Sequence, residues 1–417
     1  MTPEIKQRIE QIRRGEVPEG YVKKRKVVIP QQWGLPQIKD IASISSGSTP
    51  NRNNSEYWNG NIAWVTTGEL SSGHVNHTSE LITVKAVKET KMRIYPQGTL
   101  LMAMYGQGKT RGTVAILEID AAVNQACAAI TVKDGKSKFL FYQLKNSYQD
   151  IRKLSNTGNQ ENLNADIIKT YQVPWAPDEE QERISTILTT QDKVIELKEK
   201  RLAEKQRQKK YLMQQLLTGK KRLPGFNGAW KTDCLGKLFF ERKETNCENI
   251  EMLAITGTQG IIPRKELDLK DNSSEDKSKY LRVCVGDIGY NTMRMWQGVS
   301  AYSNYEGIVS PAYTILKPSS SINAKYFAYL FKMSKIVFLF YRFSQGLVDD
   351  TRNLKYENFK KIKACYPPDM KEQTAIAEVL SAADREIELL QQDIEQEKQK
   401  KKALMQLLLT GIVRVKT

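Results

Sequence analysis

The residues whose types and spacing could support chemistry are concentrated in a glycine-rich segment, AMYGQGKT, at 103–110. The segment ends like a phosphate-binding loop, but alanine stands where the first glycine of that loop belongs. Such a loop leaves a strand and enters a helix, whose N-terminus binds the phosphates. The residues that follow, at 111–117, instead have the pattern of a second strand. The pattern therefore favours the tip of a hairpin, and a nucleotide-dependent enzyme that uses Lys109 and Thr110 is the alternative.

Other catalytic or metal-binding groups are sparse. His74 and His77 are the only histidines, and no further metal ligands cluster near them. The five cysteines are scattered without a CxxC pair, so we expect reduced thiols and no zinc site. The chain also lacks the Asn/Asp-Pro-Pro-aromatic tetrapeptide of an amino-methyltransferase and a GxGxxG cofactor loop. These observations predict a protein that performs no chemistry itself.

The charge of the chain points to a polyanionic partner. Its 417 residues include 64 Lys and Arg against 47 Asp and Glu, which gives a formal net charge of +17. No stretch approaches 18 uninterrupted apolar residues, and the N-terminal residues are too charged for a secretory signal. We therefore expect a cytoplasmic protein without a membrane segment that binds nucleic acid. A basic composition that only aids solubility is the alternative.

Several polar, glycine-containing turns carry the side chains that recognise base edges. In the major groove, Arg and Lys pair with guanine, whereas Asn and Gln pair with adenine. For any single residue an ordinary polar turn is the alternative, so the prediction depends on the set. The candidate DNA-binding residues are Ser48, Thr49, Arg52, Thr67, Tyr105, Gln107, Lys109, Arg111, Asn159, Gln160, Asn291, Met293, Arg294, Gln297 and Arg352.

A forty-residue stretch occurs twice, at 180–219 and at 372–411, and the two copies align without a gap at an offset of 192 residues. Each copy closes one half of the chain. A solenoid would repeat every 20 to 50 residues or so, so this repeat predicts two similar halves related by a pseudo-two-fold axis.

Each copy predicts one long helix, with seam positions at alternating steps of four and three over five heptads. Gly219 and Gly411 are predicted C-terminal caps, and each helix would be about 57 Å long. Because an apolar stripe needs a partner, we expect the two helices to pack antiparallel as a coiled-coil spacer. A coiled coil used only for homodimerisation is the alternative. The predicted packing residues are Ile184, Leu188, Ile195, Leu202, Leu212, Leu216, Ile376, Leu380, Ile387, Ile394, Leu404 and Leu408.

The segments between the helices predict two mixed α/β (α+β) domains. In each, short strand-like runs separated by polar turns precede one helical patch, at 138–152 in the first half and at 324–342 in the second. The predicted boundaries are 1–26 for an N-terminal helix and basic segment, 27–176 for the first domain, 177–222 for the central helix, 223–367 for the second domain and 368–417 for the C-terminal helix.

Phrases along most of the chain are similar to those of one known family. They are SSGSTPNRNNSEYW (45–58), GTLLMAMYGQ (98–107), NQACAAI (124–130), LMQQLLTG (212–219), NTMRMWQG (291–298) and YEGIVSPAY (305–313). With these phrases the chain resembles the specificity (S) subunit of type I restriction–modification systems. One departure is GQGKTRG at 106–112, which is longer than the usual form.

The resemblance implies a non-catalytic DNA-sequence-specificity subunit. Each globular part would be a target recognition domain for one half of a bipartite site in double-stranded DNA. The helices would set the spacing of the half-sites and dock two methyltransferase (M) subunits, and restriction (R) subunits would join them. The chain would hold no cofactor, because S-adenosylmethionine, ATP and Mg would belong to partner subunits. A structural scaffold that binds DNA without sequence preference is the alternative.

Overall fold

The structure, a computed structural model, describes residues 2–106, 108–154, 162–247, 250–257, 260–267 and 276–415. The chain divides into two units. Unit 1 comprises residues 1–197 and 394–417, and unit 2 comprises residues 198–393. Within the described residues, no helix combines the length and the apolar character needed to cross a membrane.

Unit 1 contains ten strands and six helices before the first long helix in the ranges that the structure describes. They are Pro3–Arg13 (α1), Tyr21–Lys24 (β1), Val27–Pro30 (β2), Ile38–Ile41 (α2), Ala42–Ser46 (β3), Trp58–Val65 (β4), His74–Val75 (β5), Glu80–Ile82 (β6), Val84–Glu89 (α3), Leu100–Ala103 (β7), Val114–Leu117 (β8), Ala121–Val123 (β9), Cys127–Val132 (β10), Ser137–Asn146 (α4), Tyr148–Lys153 (α5) and Ala165–Thr170 (α6).

The main sheet of unit 1 has the strand order β3-β10-β7-β8-β5, and β6-β4-β9 form a smaller sheet. Within the main sheet only the β5–β8 pair is parallel. Alternate residues of β7 enter two different cores, because Leu100 and Met102 pack in one cluster and Leu101 in another. The centre of the sheet is therefore buried on both faces.

Unit 2 repeats this pattern. Its elements are Lys231–Cys234 (β11), Leu235–Leu238 (α8), Phe239–Glu241 (β12), Leu253–Ile255 (β13), Ile261–Pro263 (β14), Leu281–Val283 (β15), Ile288–Asn291 (β16), Ser300–Tyr302 (β17), Gly307–Val309 (β18), Tyr313–Pro318 (β19), Ala324–Leu330 (α9), Ser334–Phe343 (α10), Tyr356–Phe359 (α11) and Lys363–Tyr366 (β20). The sheet order β12-β19-β16-β17 matches β3-β10-β7-β8 of unit 1, so the duplication extends from the helices to the sheets. Each predicted helical patch is two helices, α4 with α5 and α9 with α10.

The two long helices are α7, Asp178–Leu216, which we call αC (central), and α12, Met370–Leu408, which we call αT (terminal). Each has 39 residues, and the boundary between the units falls inside both. Gly219 and Gly411 have φ angles of 70° and 71°, so both have the left-handed conformation of a C-terminal cap. All twelve predicted packing residues are buried or half-buried.

Segments of αC and αT run antiparallel within each unit, as ion pairs and hydrogen bonds show. In unit 2, Lys198 Nζ lies 2.8 Å from Asp393 Oδ1 and Lys205 Nζ lies 2.8 Å from Glu386 Oε1, so rising numbers on αC meet falling numbers on αT. In unit 1, Gln191 Nε2 donates to Glu397 Oε2 at 2.6 Å. The polar seam positions are thus paired across the helices in each unit, while the coiled-coil geometry itself stays a prediction.

The sequence predicts that each long helix buries its apolar residues mainly against the other long helix, but the domains provide a second packing partner. In unit 1, Ile184 and Leu188 of αC join a core cluster that includes Phe139 of α4. In unit 2, Ile376 and Leu380 of αT join the cluster that includes Phe327 of α9. The helix beginnings are therefore part of the domain cores, because the α/β parts supply the apolar surface that the polar seam lacks.

A tyrosine and a lysine meet an aspartate of the long helices in both units. In unit 1, Tyr142 donates to Asp192 Oδ2 at 2.8 Å, and Lys401 pairs with the same carboxylate. In unit 2, Tyr329 donates to Asp384 Oδ2 at 2.7 Å, and Lys209 is its ion-pair partner. The two aspartates are 192 residues apart, so the repeated sequence places the same polar network between helix and domain twice.

A buried carboxylate lies in the first turns of each long helix. Glu372 is 2% exposed and accepts two hydrogen bonds from Arg222, at 2.5 and 2.6 Å. Glu180 is fully buried and accepts from Arg414 at 2.7 and 2.9 Å and from Trp33 Nε1 at 2.8 Å. An unpaired buried charge is costly, so these arginines stabilise the junction of helix and domain.

We expect Arg222→Ala to destabilise the start of αT by about 3 kcal/mol, because it leaves Glu372 buried without its partner. Arg414→Ala should destabilise the start of αC by a smaller free energy, because Trp33 Nε1 continues to donate a hydrogen bond to Glu180. Hydrogen exchange measured by mass spectrometry at the first turns of the two helices checks this order. Equal losses of protection would contradict the stabilising role of Trp33.

Candidate nucleic-acid interface

Polar loops of unit 1 converge at one edge of its main sheet. Strands β3 and β7 both pair antiparallel with β10, so their carboxyl ends lie at the same edge. The turn at 124–126, between β9 and β10, joins them: Ser48 N donates to Val123 O at 2.9 Å, and Met104 N donates to Ala126 O at 2.8 Å. The loop after β4 is tied in as well, because Asn124 N donates to Val65 O at 2.9 Å. We call residues 47–52, 66–69, 104–106, 108–113 and 124–126 the first loop cluster.

Close backbone contact at Gly47 fixes the shape of this cluster. A Cβ atom at Gly47 would lie 1.9 Å from Val123 O and 2.5 Å from Asn124 O, distances that no side chain tolerates. Glycine is therefore required at position 47, where the loop after β3 crosses the end of β9.

The segment at 103–110 is the tip of a hairpin, as the sequence pattern indicated. Strands β7 and β8 pair antiparallel, with Leu100 opposite Ile116 and Met102 opposite Val114, and no helix follows the tip. The geometry that a phosphate-binding loop needs is therefore missing from this hairpin. Helix α5 supports the tip from behind, since Tyr148 Oη donates to Lys109 O at 2.7 Å and Arg152 Nη1 donates to Arg111 O at 2.8 Å.

The predicted contact residues of this tip differ in their exposure. Lys109 is exposed, and Tyr105 is 39% exposed. Arg111 is only 6% exposed, so the prediction that it faces DNA does not fit this fold, and its position favours a structural role. Its place at the base of the hairpin, beside α5, explains the burial. Gln107, Asn159 and Gln160 lie outside the described residues.

Arg52 is exposed but engaged by neighbouring side chains. Its guanidinium makes two hydrogen bonds to the Glu80 carboxylate and lies 4.2 Å from the ring centre of Trp58. The hydrogen bonding to Glu80 raises the pKa of Arg52, which therefore stays charged. The Arg52 side chain is 54% exposed, so DNA could displace Glu80 without disturbing the core.

The other predicted residues of the first loop cluster are half-buried, namely Ser48, Thr49 and Thr67. Gln125, which is not among the residues predicted from the sequence, is exposed at the centre of the 124–126 turn. A signal was available, because polar residues between the apolar strands β9 and β10 are typical of a turn at a sheet edge. Gln125 is an additional candidate for base contact.

In unit 2 the equivalent edge carries a second loop cluster, which we define as residues 291–298 and 345–354. Strand β16 ends at Asn291, whose Oδ1 accepts from Met293 N at 2.9 Å. Leu354 N donates to Thr292 O at 2.9 Å. The matching bond in unit 1 runs from Leu163 N to Met104 O at 3.0 Å, so both units tie their loops together in the same way.

The side chains of the second loop cluster have two different roles. Met293, Arg294 and Gln297 are exposed, Asn291 is half-buried, and Arg294 has no recorded side-chain partner among the described residues. Arg352 is only 15% exposed, and its guanidinium lies 4.1 Å from the ring centre of Tyr341. The structure thus favours a packing role for Arg352, because base contact would require it to leave this ring.

If Arg52 contacts DNA, as the sequence predicts, Glu80→Gln removes the carboxylate that would compete for its guanidinium group. We expect affinity for double-stranded DNA to rise about two- to fivefold at low salt, the range of an exposed ion pair. Fluorescence anisotropy with a labelled duplex at two salt concentrations measures this change. Glu56→Gln, which removes the same charge from the exposed Lys85–Glu56 pair, is the matched control. Equal gains for both variants would show an effect of net charge alone.

Comparisons with known proteins place these features in one family. The type I restriction modification DNA specificity domain matches residues 30–207 and again residues 236–399. The MjaIX specificity subunit of Methanocaldococcus jannaschii is 34% identical over 178 residues, which cover 41% of this chain and 40% of that protein. The putative MjaX specificity subunit of the same organism is 25% identical over 424 residues, covering 93% of this chain and 95% of that protein. Both are named specificity subunits, in agreement with the prediction that the chain is not itself an enzyme.

A solved structure supports the fold. The crystal structure of the S subunit of a type I restriction–modification system from M. genitalium has a TM-score of 0.58 at 13% identity. The match between the two structures covers 93% of this chain and 98% of the M. genitalium chain. The predicted mixed α/β fold in two similar parts is confirmed. With two copies of the family's domain in one polypeptide, the chain belongs to the type I restriction–modification DNA specificity family.

Proposed function

We propose that this chain selects the DNA sequence for a type I restriction–modification complex, and that each unit recognises one half of a bipartite target. The observation that carries the proposal is the equivalence of the two loop clusters. Strands β7 and β16 occupy the same place in their sheets, and each ends at a turn with an exposed cation, Lys109 or Arg294. Arg and Lys in such turns are suited to guanine edges.

Charge and composition support DNA as the ligand. The net charge of +17 favours a polyanion and accelerates its capture over long distances. The exposed side chains of the clusters include Gln125 and Gln297, which suit adenine edges. Because the two loop clusters present different exposed side chains, we expect the two half-sites to have different sequences.

The long helices are proposed to set the distance between the half-sites. Each is continuous over 39 residues, and the unit boundary falls inside both, so a helix rather than a loop connects the units at each crossing. We also propose that two M subunits dock on these helices, because the 192-residue repeat presents similar helix faces twice.

The proposed complex divides its chemistry among the partners. The M subunits would bind S-adenosylmethionine and transfer the methyl group, and the R subunits would use ATP and Mg to cut DNA. This chain would contribute only sequence recognition, and it would act in the cytoplasm, where chromosomal and incoming DNA are both accessible to it.

Methylation mapping in cells tests the proposal. The chain is expressed with its cognate M subunit, and modified bases are mapped across the genome with and without the chain. We expect a split motif of two short half-sites that disappears when the chain is deleted. Methylation without such a motif, or a motif that persists without the chain, would overturn the proposal.

Arg294→Ala should relax base preference in one half-site only. A good bidentate pair contributes about 1–3 kcal/mol of discrimination, so sites with the wrong base at that position should become methylated. The other half-site should keep its sequence. Equal loss of methylation at all sites would instead identify Arg294 as a phosphate contact.

Four residues inserted after Leu197 lengthen αC by slightly more than one turn, or about 6 Å. A base-pair step is about 3.4 Å, so we expect the mapped spacer to change by one or two base pairs. Four residues inserted after Glu19, in an exposed turn outside the long helices, should leave the spacer as it is. An unchanged spacer in the first variant would argue against the helix as a ruler.

A further inference from the structure

The turn that presents Arg294 and Gln297 is held from behind by a lysine. Lys332, which follows α9, donates from Nζ to Gly298 O at 2.8 Å and to Ser300 O at 2.6 Å. These two carbonyls flank the point where the short helix Met295–Gln297 ends and β17 begins. A single ammonium group therefore connects α9 to the carboxyl side of the recognition turn.

The chemistry of this contact is that of a C-terminal cap. Carbonyl groups at the end of a helical turn carry partial negative charge and can accept further hydrogen bonds. Gly298 O accepts one from Ser300 N at 3.0 Å in addition to the one from Lys332. Hydrogen bonds from an ammonium group satisfy them more strongly than neutral donors would. Loss of solvent around Nζ, with a smaller effect of Lys209, lowers the pKa of Lys332 to about 8. The ammonium thus gives up part of its hydration to bind these carbonyls. Lys332 as a whole residue is exposed.

Backbone hydrogen bonds and packing on α10 also shape this turn. Gly298 N donates to Met295 O at 2.7 Å, and Val299 N donates to Arg294 O at 3.3 Å. Gly298 has a φ angle of 82°, and a Cβ atom there would lie 3.0 Å from Val337 Cγ2 of α10. Lys332 adds a side-chain link to the carboxyl side of the turn. Bidentate base recognition depends on the orientation of Arg294 and Gln297, and both follow the backbone of the turn. A shift of about 1 Å would impair base discrimination more than the attraction to phosphates.

Unit 1 supports its hairpin tip by different means. Lys145 occupies the position equivalent to Lys332, since the tyrosines three residues earlier, Tyr142 and Tyr329, donate to equivalent aspartates. The Lys145 Nζ lies over the ring of Phe141 at 5.1 Å, and Tyr148 and Arg152 hold the tip instead. Among the described residues, the lysine clamp on carbonyls of the recognition turn is therefore particular to unit 2.

We propose that Lys332 is a positioning residue that determines specificity for the half-site recognised by unit 2. The inference rests on the proposed function, since it assumes that Arg294 and Gln297 contact bases. Lys332 itself need not touch DNA. It fixes the backbone from which those side chains extend.

Lys332→Met keeps the length of the side chain and removes the hydrogen bonds. Methylation mapping of the full chain with its cognate M subunit should show one half-site degenerate and the other unchanged. Methylation at sites with a wrong base in the affected half should rise by roughly tenfold or more. Lys332→Arg, which keeps the charge and the donors, should restore most of the discrimination. Lys335→Met, an exposed lysine on α10, is the matched control and should map as the wild type does.

Three results separate the hypotheses. If the wild-type chain yields no split motif, the proposed function fails. If the wild type yields the motif and Lys332→Met leaves both half-sites intact, or relaxes both equally, the inference about Lys332 is overturned. If Lys332→Met does not accumulate as a folded chain, Lys332→Gln, which is neutral and keeps a donor, is mapped instead. For that variant, partial degeneracy confined to one half-site supports the inference, and any other pattern overturns it.

Discussion

The architecture depends on how the two long helices bury their apolar residues. Their middle portions carry lysine, glutamine and glutamate at seam positions, so helix-to-helix contact alone provides little apolar burial there. The beginnings of the helices obtain that burial from the domain cores, with Ile184 and Leu188 in unit 1 and Ile376 and Leu380 in unit 2. The buried Glu180 and Glu372, each with an arginine partner, fix these junctions. Helix segment and domain in each unit consequently share one core.

The basic residues of the loop clusters divide into those that support the fold and those available to a ligand. Arg111 and Arg352 are mostly buried, beside α5 and on the ring of Tyr341 respectively. Lys109 and Arg294 extend from turns whose backbone is held by other residues. Arginine serves the first role well because its planar group packs on rings and donates several hydrogen bonds at once. Arginine thus appears in both roles within the second loop cluster, as Arg352 and Arg294.

Sequence patterns predicted the repeat, the long helices, their glycine caps and the hairpin at 103–110, because each is a local feature with a fixed period or turn chemistry. The burial of Arg111 and Arg352 could not be predicted, since it depends on α5 and α10 folding back onto the loops. Gln125 was recognisable as a turn residue, but its place beside the ends of β3 and β7 required the strand order. A single sequence does not show which residues that lie far apart along the chain are in contact.

The crossing at Gly47 bears on how this protein could acquire new specificity. There the backbone of the loop after β3 lies against the end of β9, so a mutation at Gly47 would disturb the fold before it altered any base contact. Neighbouring exposed side chains such as Gln125 are free of that restriction. Substitutions are therefore tolerated unevenly across this surface. The backbone at Gly47 leaves no room for a side chain, whereas an exposed side chain such as Gln125 can be replaced. If this surface reads DNA as proposed, single substitutions of its exposed side chains could change the target sequence while the protein remains folded throughout.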